Sequence, residues 1–345
     1  MKKLLMTVLA TAMLVAGGQG AAFAAGPLTL QEISSYTGAD RQERLIEAAK
    51  KEGELVVYHA YPQLSTVMAA FTKKYGIKVT PWRAGSEAIL QRMGSEARAK
   101  KYTVDVVQNN APENEAAHRE GLLQEVRSPY LADLMPGAVP AHKAWVGMTV
   151  DVFSAAYNTN SVKKEELPKT YRDLLDPKWK GRIAVEAEDH GWYATLVELM
   201  GEPQGSKLFA DIAATNGIQV RKGHSLLAGL VASGEVPLAL SVYSWNPDQL
   251  KLKGAPIEGL LLQPVVGQFS TLAMLKRAPH PNAAALFYDF VLSEGQQILA
   301  DIRFVPTSRK VVSPIGDTQI KMIDPSKALD MNEKWQKQYM SMHTR

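Results

Sequence analysis

From Gln42 to Lys51 apolar side chains return on one helical face, with Leu45, Ile46, Ala48 and Ala49 in register. Gly53 closes that helix, and Leu55-Val56-Val57-Tyr58 follows as a short buried strand. The same alternation recurs twice. Leu64 to Tyr75 predicts a second helix, closed by Gly76, and Ile77 to Trp82 a second strand. Ser86 is placed to cap a third helix over 87–99, and Val104-Asp105-Val106-Val107 reads as a third strand. Helix and strand in strict alternation predict an open α/β sheet with helices on both faces. In such sheets ligands lie outside the carboxyl ends of the strands. The loops at those ends are 59–62, 83–86 and 108–113.

The texture changes after a turn-rich stretch at 136–140. Trp145 to Tyr157 is one long strand-like run. Lys169 to Lys180 has a polar helical pattern, followed by a strand over 181–185, a helix over 191–200 and a short strand at Gln219-Val220. A helix over 225–232 and a strand over 238–242 come next, then a proline-broken extended stretch over 256–269 and helices over 281–292 and 294–300. The two long extended stretches, near 145–157 and 256–275, predict two crossings between two α/β lobes, with a cleft at the interface.

Composition narrows the function classes. The 345 residues are 46% hydrophobic and 21% charged, an ordinary globular balance with room for two domains of about 150 residues. Cysteine is absent, so disulfides, thiolate metal sites and a cysteine nucleophile are excluded. Net charge is +4, two units of which are Lys2 and Lys3. With acids and bases interspersed, nucleic-acid binding has no support in the charge pattern. Lys2 and Lys3 precede an apolar run over 4–17, and Ala22-Phe23-Ala24 then places small residues where a signal peptidase reads. The run is shorter than the roughly 20 residues of a membrane span. Cleavage after Ala24 (residues 1–24 as signal peptide) and export to the periplasm are the expectation.

Several runs then resemble one family. They are Glu54-Leu55-Val56-Val57-Tyr58, Arg83-Ala84-Gly85-Ser86, Asp105-Val106-Val107, the segment from Asp176 to Arg182, Ser233-Gly234-Glu235-Val236-Pro237 and the segment from Ala278 to Ala284. In this order they resemble the periplasmic solute-binding proteins of bacterial ABC importers, in the branch containing ferric-ion-binding proteins. The resemblance implies a type II periplasmic-binding fold, in which each lobe is a mixed sheet flanked by helices, two hinge strands join the lobes, and a hinge motion closes them. The expected lobes are 38–145 with 272–322, and 150–268 with 323–345.

The resemblance also implies a ligand set. Ferric-binding relatives carry two consecutive tyrosines before a tryptophan; here the matching run is Tyr243-Ser244-Trp245, so one tyrosine is kept. The family's carboxylate falls near Asn110, with Glu113 three residues on. Its anion-binding turn falls on Asp189-His190-Gly191, and its next loop asparagine near His224. The candidate ligand-binding residues are therefore His59, Tyr61, Arg83, Ser86, Asn110, Asp189, Trp192, His224, Tyr243 and Trp245. Two chemistries remain open. A small organic anion held by Arg83, loop polar groups and aromatic walls is the first expectation. The alternative is ferric iron or another metal held by Tyr243, Asp189 and His224.

An enzyme is not expected. No Gly-x-Ser-x-Gly elbow accompanies Asp189, His224 and Ser241 or Ser244, and neither a P-loop nor a dinucleotide fingerprint occurs. No cofactor is expected. The expected partners are the small-molecule or metal ligand and an inner-membrane ABC permease, with the chain acting as a monomer. A sensor subunit on the same fold is the remaining alternative.

Overall fold

The computed structural model describes residues 26–343; the expected signal peptide lies outside the described residues. Among the described residues twelve strands are formed: β1 Glu54–His59, β2 Lys78–Arg83, β3 Val106–Asn110, β4 Leu123–Gln124, β5 Trp145–Asn158, β6 Ile183–Glu186, β7 Gln219–Arg221, β8 Leu238–Tyr243, β9 Ile257–Leu260, β10 Val266–Leu275, β11 Val305–Pro306 and β12 Lys321–Met322. The helices are α1 Leu30–Ser35, α2 Arg41–Glu52, α3 Leu64–Tyr75, α4 Ser86–Arg98, α5 Ala111–Arg119, α6 His190–Met200 and α7 Glu202–Asn216. Then follow α8 His224–Ser233, α9 Trp245–Leu252, α10 Pro281–Leu292, α11 Glu294–Asp301, α12 Pro325–Asp330 and α13 Asn332–His343.

The sheet runs in the order β2-β1-β3-β10-β5-β8-β6-β7. β1, β2 and β3 are mutually parallel, and so are β6, β7 and β8. Their carboxyl ends carry the loops that line the cleft. Between these two blocks stands β5, fourteen residues long and buried throughout. Its first part, from Trp145 to Val152, pairs with β10; from Phe153 on it pairs with β8 and β9. One strand thus belongs to both lobes, and the chain returns through residues 261–265 between β9 and β10. A strand buried on both faces is expected to be apolar nearly throughout, which is how 145–157 reads.

Asp151 is the one charged side chain in that strand. It is fully buried one residue before the change of partner. Tyr61, in the loop after β1, donates its hydroxyl to Asp151 Oδ2, and Trp245, at the start of α9, donates Nε1–H to Oδ1 at 3.2 Å. The carboxylate therefore joins one lobe to the other across the hinge. Phe304 completes the junction, with its ring 4.9 Å from Tyr61 and 4.7 Å from Trp245. Gln63 donates to Gln249 at 2.9 Å beside it.

The C-terminal segment makes a further tie. β12 pairs with β10, α12 packs on α5, and α13 packs on α6 and α7. Arg119 on α5 pairs with Asp330, and Lys327 on α12 pairs with Glu198 on α6 at 2.6 Å.

Several expected elements shift. Gly85, not Ser86, is the cap residue of α4, and Ser86 is its first helical residue. The third strand starts two residues later than expected and ends at Asn110, which caps α5 with its backbone. The polar pattern over 169–180 folds as two short 3₁₀ turns, Tyr171–Leu175 and Pro177–Trp179, because Pro177 lacks the N–H that a continuous helix needs. α7 was hidden by Gly205, a poor helix former. The glycine is required there: a Cβ at this position would lie 2.7 Å from Val197 Cα, where α7 crosses α6.

Burial raises the Asp151 carboxyl to about 6, against a weaker downward pull from Tyr61 and Trp245. The folded chain therefore holds a proton that the unfolded chain has released. That stabilisation is complete below the ordinary carboxyl value of 3.8 and is lost as pH rises through about 6. Asp151→Asn cannot ionise and still offers Trp245 an acceptor. Urea unfolding at about pH 4 and about pH 7 should show the wild type losing on the order of 3 kcal/mol more than the variant over this interval. Equal losses in the two proteins would show that Asp151 is not the titrating group.

Candidate functional site

On the second lobe the cleft is built where β6, β7 and β8 end and α6, α8 and α9 begin. Glu186, the last residue of β6, is buried and holds two of these loops. Its Oε2 accepts the Glu188 N–H at 2.6 Å and its Oε1 the Gly223 N–H at 2.7 Å. Gly223 adopts φ 103°, a backbone closed to most side chains, and this aims its N–H at the carboxylate. Behind the strand, the buried Tyr339 hydroxyl donates to the Glu186 carbonyl at 2.5 Å. The C-terminal helix thus braces the loop that carries the site.

Asp189 stands at the start of α6 but its side chain does not cap that helix. Its Oδ1 instead meets His224 Nε2 at 2.9 Å, while its Oδ2 is buried with no hydrogen-bond partner. The His224 ring lies flat on Tyr243, with centroids 3.9 Å apart and planes 16° from parallel. Burial alone would lower the His224 pKa. Asp189, with Glu186 and Asp151 behind it, overrides this and lifts it to about 9, so the ring is an imidazolium at neutral pH. Burial, reinforced by Asp151 and Asp189, holds the Tyr243 phenol well above its ordinary value. Gln268 on β10 donates to the Tyr243 hydroxyl at 2.8 Å, reaching across from the other part of the sheet. One ligand atom each from Glu186, Asp189 and His224 lie within 4.8 Å of one another. Ser244 Oγ, next to Tyr243 in the chain, is buried and also lacks a partner.

The first lobe contributes less charge. His59, buried at the end of β1, has Nδ1 2.7 Å from the Tyr61 carbonyl, and burial lowers its pKa. Gln108 fixes the same loop, accepting the Ala60 and Tyr61 N–H groups at 2.8 and 3.0 Å. Ser86 accepts Asn109 Nδ2 on its carbonyl, and Asn110 makes no side-chain cap bond. Arg83 is exposed at the end of β2 and forms no ion pair with any described residue. Glu113 points a buried, unpartnered Oε2 from the first turn of α5. Burial, with Glu188 and Glu87 adding to it, raises that carboxyl to about 7.

The sequence-derived candidates thus separate into groups. Asp189, His224 and Tyr243 come into contact. Tyr61 and Trp245 meet on Asp151 in the hinge. Trp192 is 1% exposed and packs among Tyr171, Phe209 and Phe153 in the second-lobe core. His59, Arg83, Ser86 and Asn110 sit along the first-lobe strand ends. Sequence reasoning missed Glu186, Asp151 and Gln268. Asp151 and Glu186 were visible as the single charged residue inside or closing a strand; Gln268 shares β10 with Ser270 and Thr271 and carried no such signal.

Two variants probe this geometry. Asp189→Asn removes the main counter-charge of His224, and NMR titration of the imidazole should show its pKa falling from about 9 toward the ordinary 6.5. An unmoved titration would place the ring's partner elsewhere. Tyr339→Phe strips the donor from the Glu186 carbonyl and should lower unfolding stability by about 1–3 kcal/mol. A variant as stable as wild type would mean that the brace contributes nothing.

Comparison with known proteins gives a consistent result. A family model described as bacterial extracellular solute-binding protein matches residues 103–320. The "Fe(3+)-binding periplasmic protein" of Serratia marcescens is 27% identical over 206 residues, covering 58% of this chain and 60% of the relative. The chain thus spans less than two thirds of that relative's length. "Iron uptake protein A1" of Synechocystis sp. is 26% identical over 314 residues, covering 82% and 85%. Among solved structures, the periplasmic binding protein AfuA from Actinobacillus pleuropneumoniae, with fructose-6-phosphate bound, superposes with a TM-score of 0.74 at 24% identity, covering 84% of this chain and 98% of that one. Iron-bound HitA from Pseudomonas aeruginosa gives 0.68 at 22%, covering 82% and 99%. These structures share the two-lobed fold.

Proposed function

Because the chain belongs to the bacterial extracellular solute-binding protein family, we propose that it is the periplasmic, monomeric solute-binding component of an ABC importer. It captures a small ligand between its lobes and presents the closed form to an inner-membrane permease. The moving bodies are residues 38–145 with 272–322 and residues 150–268 with 323–345. Closure is a population shift: the ligand favours the form in which both lobes touch it, and no bond is made or broken.

The observation that carries the ligand class is the free Oδ2 of Asp189, buried beside Glu186, His224 and Tyr243. Two carboxylates face one imidazolium there, and an unpartnered buried carboxylate oxygen costs free energy until a cation or a donor reaches it. Carboxylate and phenol oxygens are hard donors suited to a hard metal cation. The ligand best supported is therefore a metal ion, carried as cargo, with Asp189, Glu186 and Tyr243 as oxygen donors. The Tyr243 phenol must release its proton to bind as phenolate, and His224 must lose its proton to add a nitrogen. The relatives named for iron support this class. One feature favours the organic-anion reading: Arg83 is exposed at the end of β2 and has no ion-pair partner among the described residues.

Thermal unfolding of metal-stripped mature protein separates the two. Ferric citrate, divalent metals and a panel of small organic acids and phosphates are added in turn. A ligand at a hundredfold excess over its Kd adds about 2.7 kcal/mol and raises the melting point by several degrees. A shift with a metal, lost in Asp189→Asn and accompanied by a visible band lost in Tyr243→Phe, supports metal cargo. A shift with an organic acid alone, lost in Arg83→Ala, overturns it.

A further inference from the structure

At the strand edge opposite the cleft, the end of α4, the loop into β3 and the end of β10 enclose a cavity of about 150 Å³. Its walls are apolar: Met93, Ala97, Val104, Leu122 and Leu275. Its rim is cationic, formed by Lys101, Lys276 and Arg277, all exposed. None of the three forms an ion pair with a described residue. Arg277 lies 5.2 Å from the centre of the Tyr102 ring, an aromatic side chain 40% exposed at the mouth.

The one carboxylate in the lining, Glu96, is already satisfied. Its Oε1 accepts Arg92 Nε–H and the Tyr58 hydroxyl, both at 2.7 Å, and its Oε2 accepts the Thr103 hydroxyl at 2.8 Å. The site therefore offers an apolar interior with unneutralised positive charge only at its entrance. Three adjacent cations without ion-pair partners border an open apolar cavity, and this pairing matches a ligand with an apolar body and a negative head.

We propose that this cavity is a second binding site, separate from the cleft, for a small carboxylate with a compact apolar body of benzoate size. An apolar cavity of about 150 Å³ is large enough for a benzene ring. The ring would lie between Met93 and Leu275 with the carboxylate outward, toward Lys101, Lys276 and Arg277. The Tyr102 and Arg277 pair would cover the exposed ring edge.

The test uses full-length mature protein and sodium benzoate, followed by NMR of the Met93 methyl and the Tyr102 ring. Benzoate should shift both saturably, with a Kd of about 1 mM or tighter. Benzyl alcohol, of similar shape without the charge, should bind at least tenfold more weakly, and added salt should weaken benzoate alone. Lys276→Glu with Arg277→Glu should weaken benzoate at least tenfold, and Ala97→Phe, which fills the cavity, should abolish the shifts. Absence of a saturable Met93 shift overturns the proposal, as does equal binding of benzoate and benzyl alcohol. That comparison needs no variant, so it stands even if a variant fails to fold. Shifts confined to His224 and Tyr243 would place the benzoate in the cleft and also overturn it.

Discussion

The hinge rests on one buried carboxylate. Asp151 lies in β5 next to the point where the strand exchanges β10 for β8, and its two oxygens are taken by Tyr61 from one lobe and Trp245 from the other. An unpaired charge at that depth would be costly, so the two donors and the strand must hold their positions together. Fixing Tyr61 fixes the loop after β1, which His59 and Gln108 also hold. Fixing Trp245 fixes the start of α9, directly after Tyr243. One group thereby sets the positions of both cleft edges relative to the strand they share.

The same logic sets the electrostatics of the second lobe. Three carboxylates, Asp189, Glu186 and Asp151, raise His224 to about 9 although burial opposes it. The imidazolium acts as a resident cation in a pocket that otherwise carries excess negative charge. A metal ligand must either displace this charge by releasing its proton or bind alongside it. An anionic ligand must use it while tolerating the carboxylates. The competition between proton and ligand is thus built into the site before any solute enters.

Much of the fold was legible because its signals are local. The alternation over 42–107 and the closing glycines Gly53 and Gly76, both with left-handed φ, follow from periodicity and capping alone. Trp145–Asn158 was legible as a crossing strand because only burial on both faces sustains so long an apolar run. The site was legible in part. Asp189, His224 and Tyr243 were placed by resemblance at loop positions, and the fold brings them into contact. Trp192, Tyr61 and Trp245 were read as cleft walls, since an aromatic residue after a strand has the same signature whether it meets ligand or core. Which it meets depends on Phe209, Asp151 and Phe304, residues distant in sequence. Glu186 was missed for the same reason: its role depends on Gly223, thirty-seven residues on. α7, α12 and α13 were missed because their helical patterns are weak and tertiary packing decides them.

Unsatisfied polar atoms give the clearest link between structure and cycle. A folded protein pairs nearly all its buried polar groups, and the exceptions call for a reason. Among the described residues such atoms occur within the core, as at Asn216 and Asp289, and also at Asp189, Ser244 and Glu113, where α6, α9 and α5 begin. In an open form water would reach the last three. On the proposed hinge closure, burial without compensation would disfavour closing of the empty protein. A ligand that supplies the missing partners removes that penalty only when both lobes surround it. On the proposed transport cycle, the same atoms would oppose closure of the empty protein, so that closure would report occupancy.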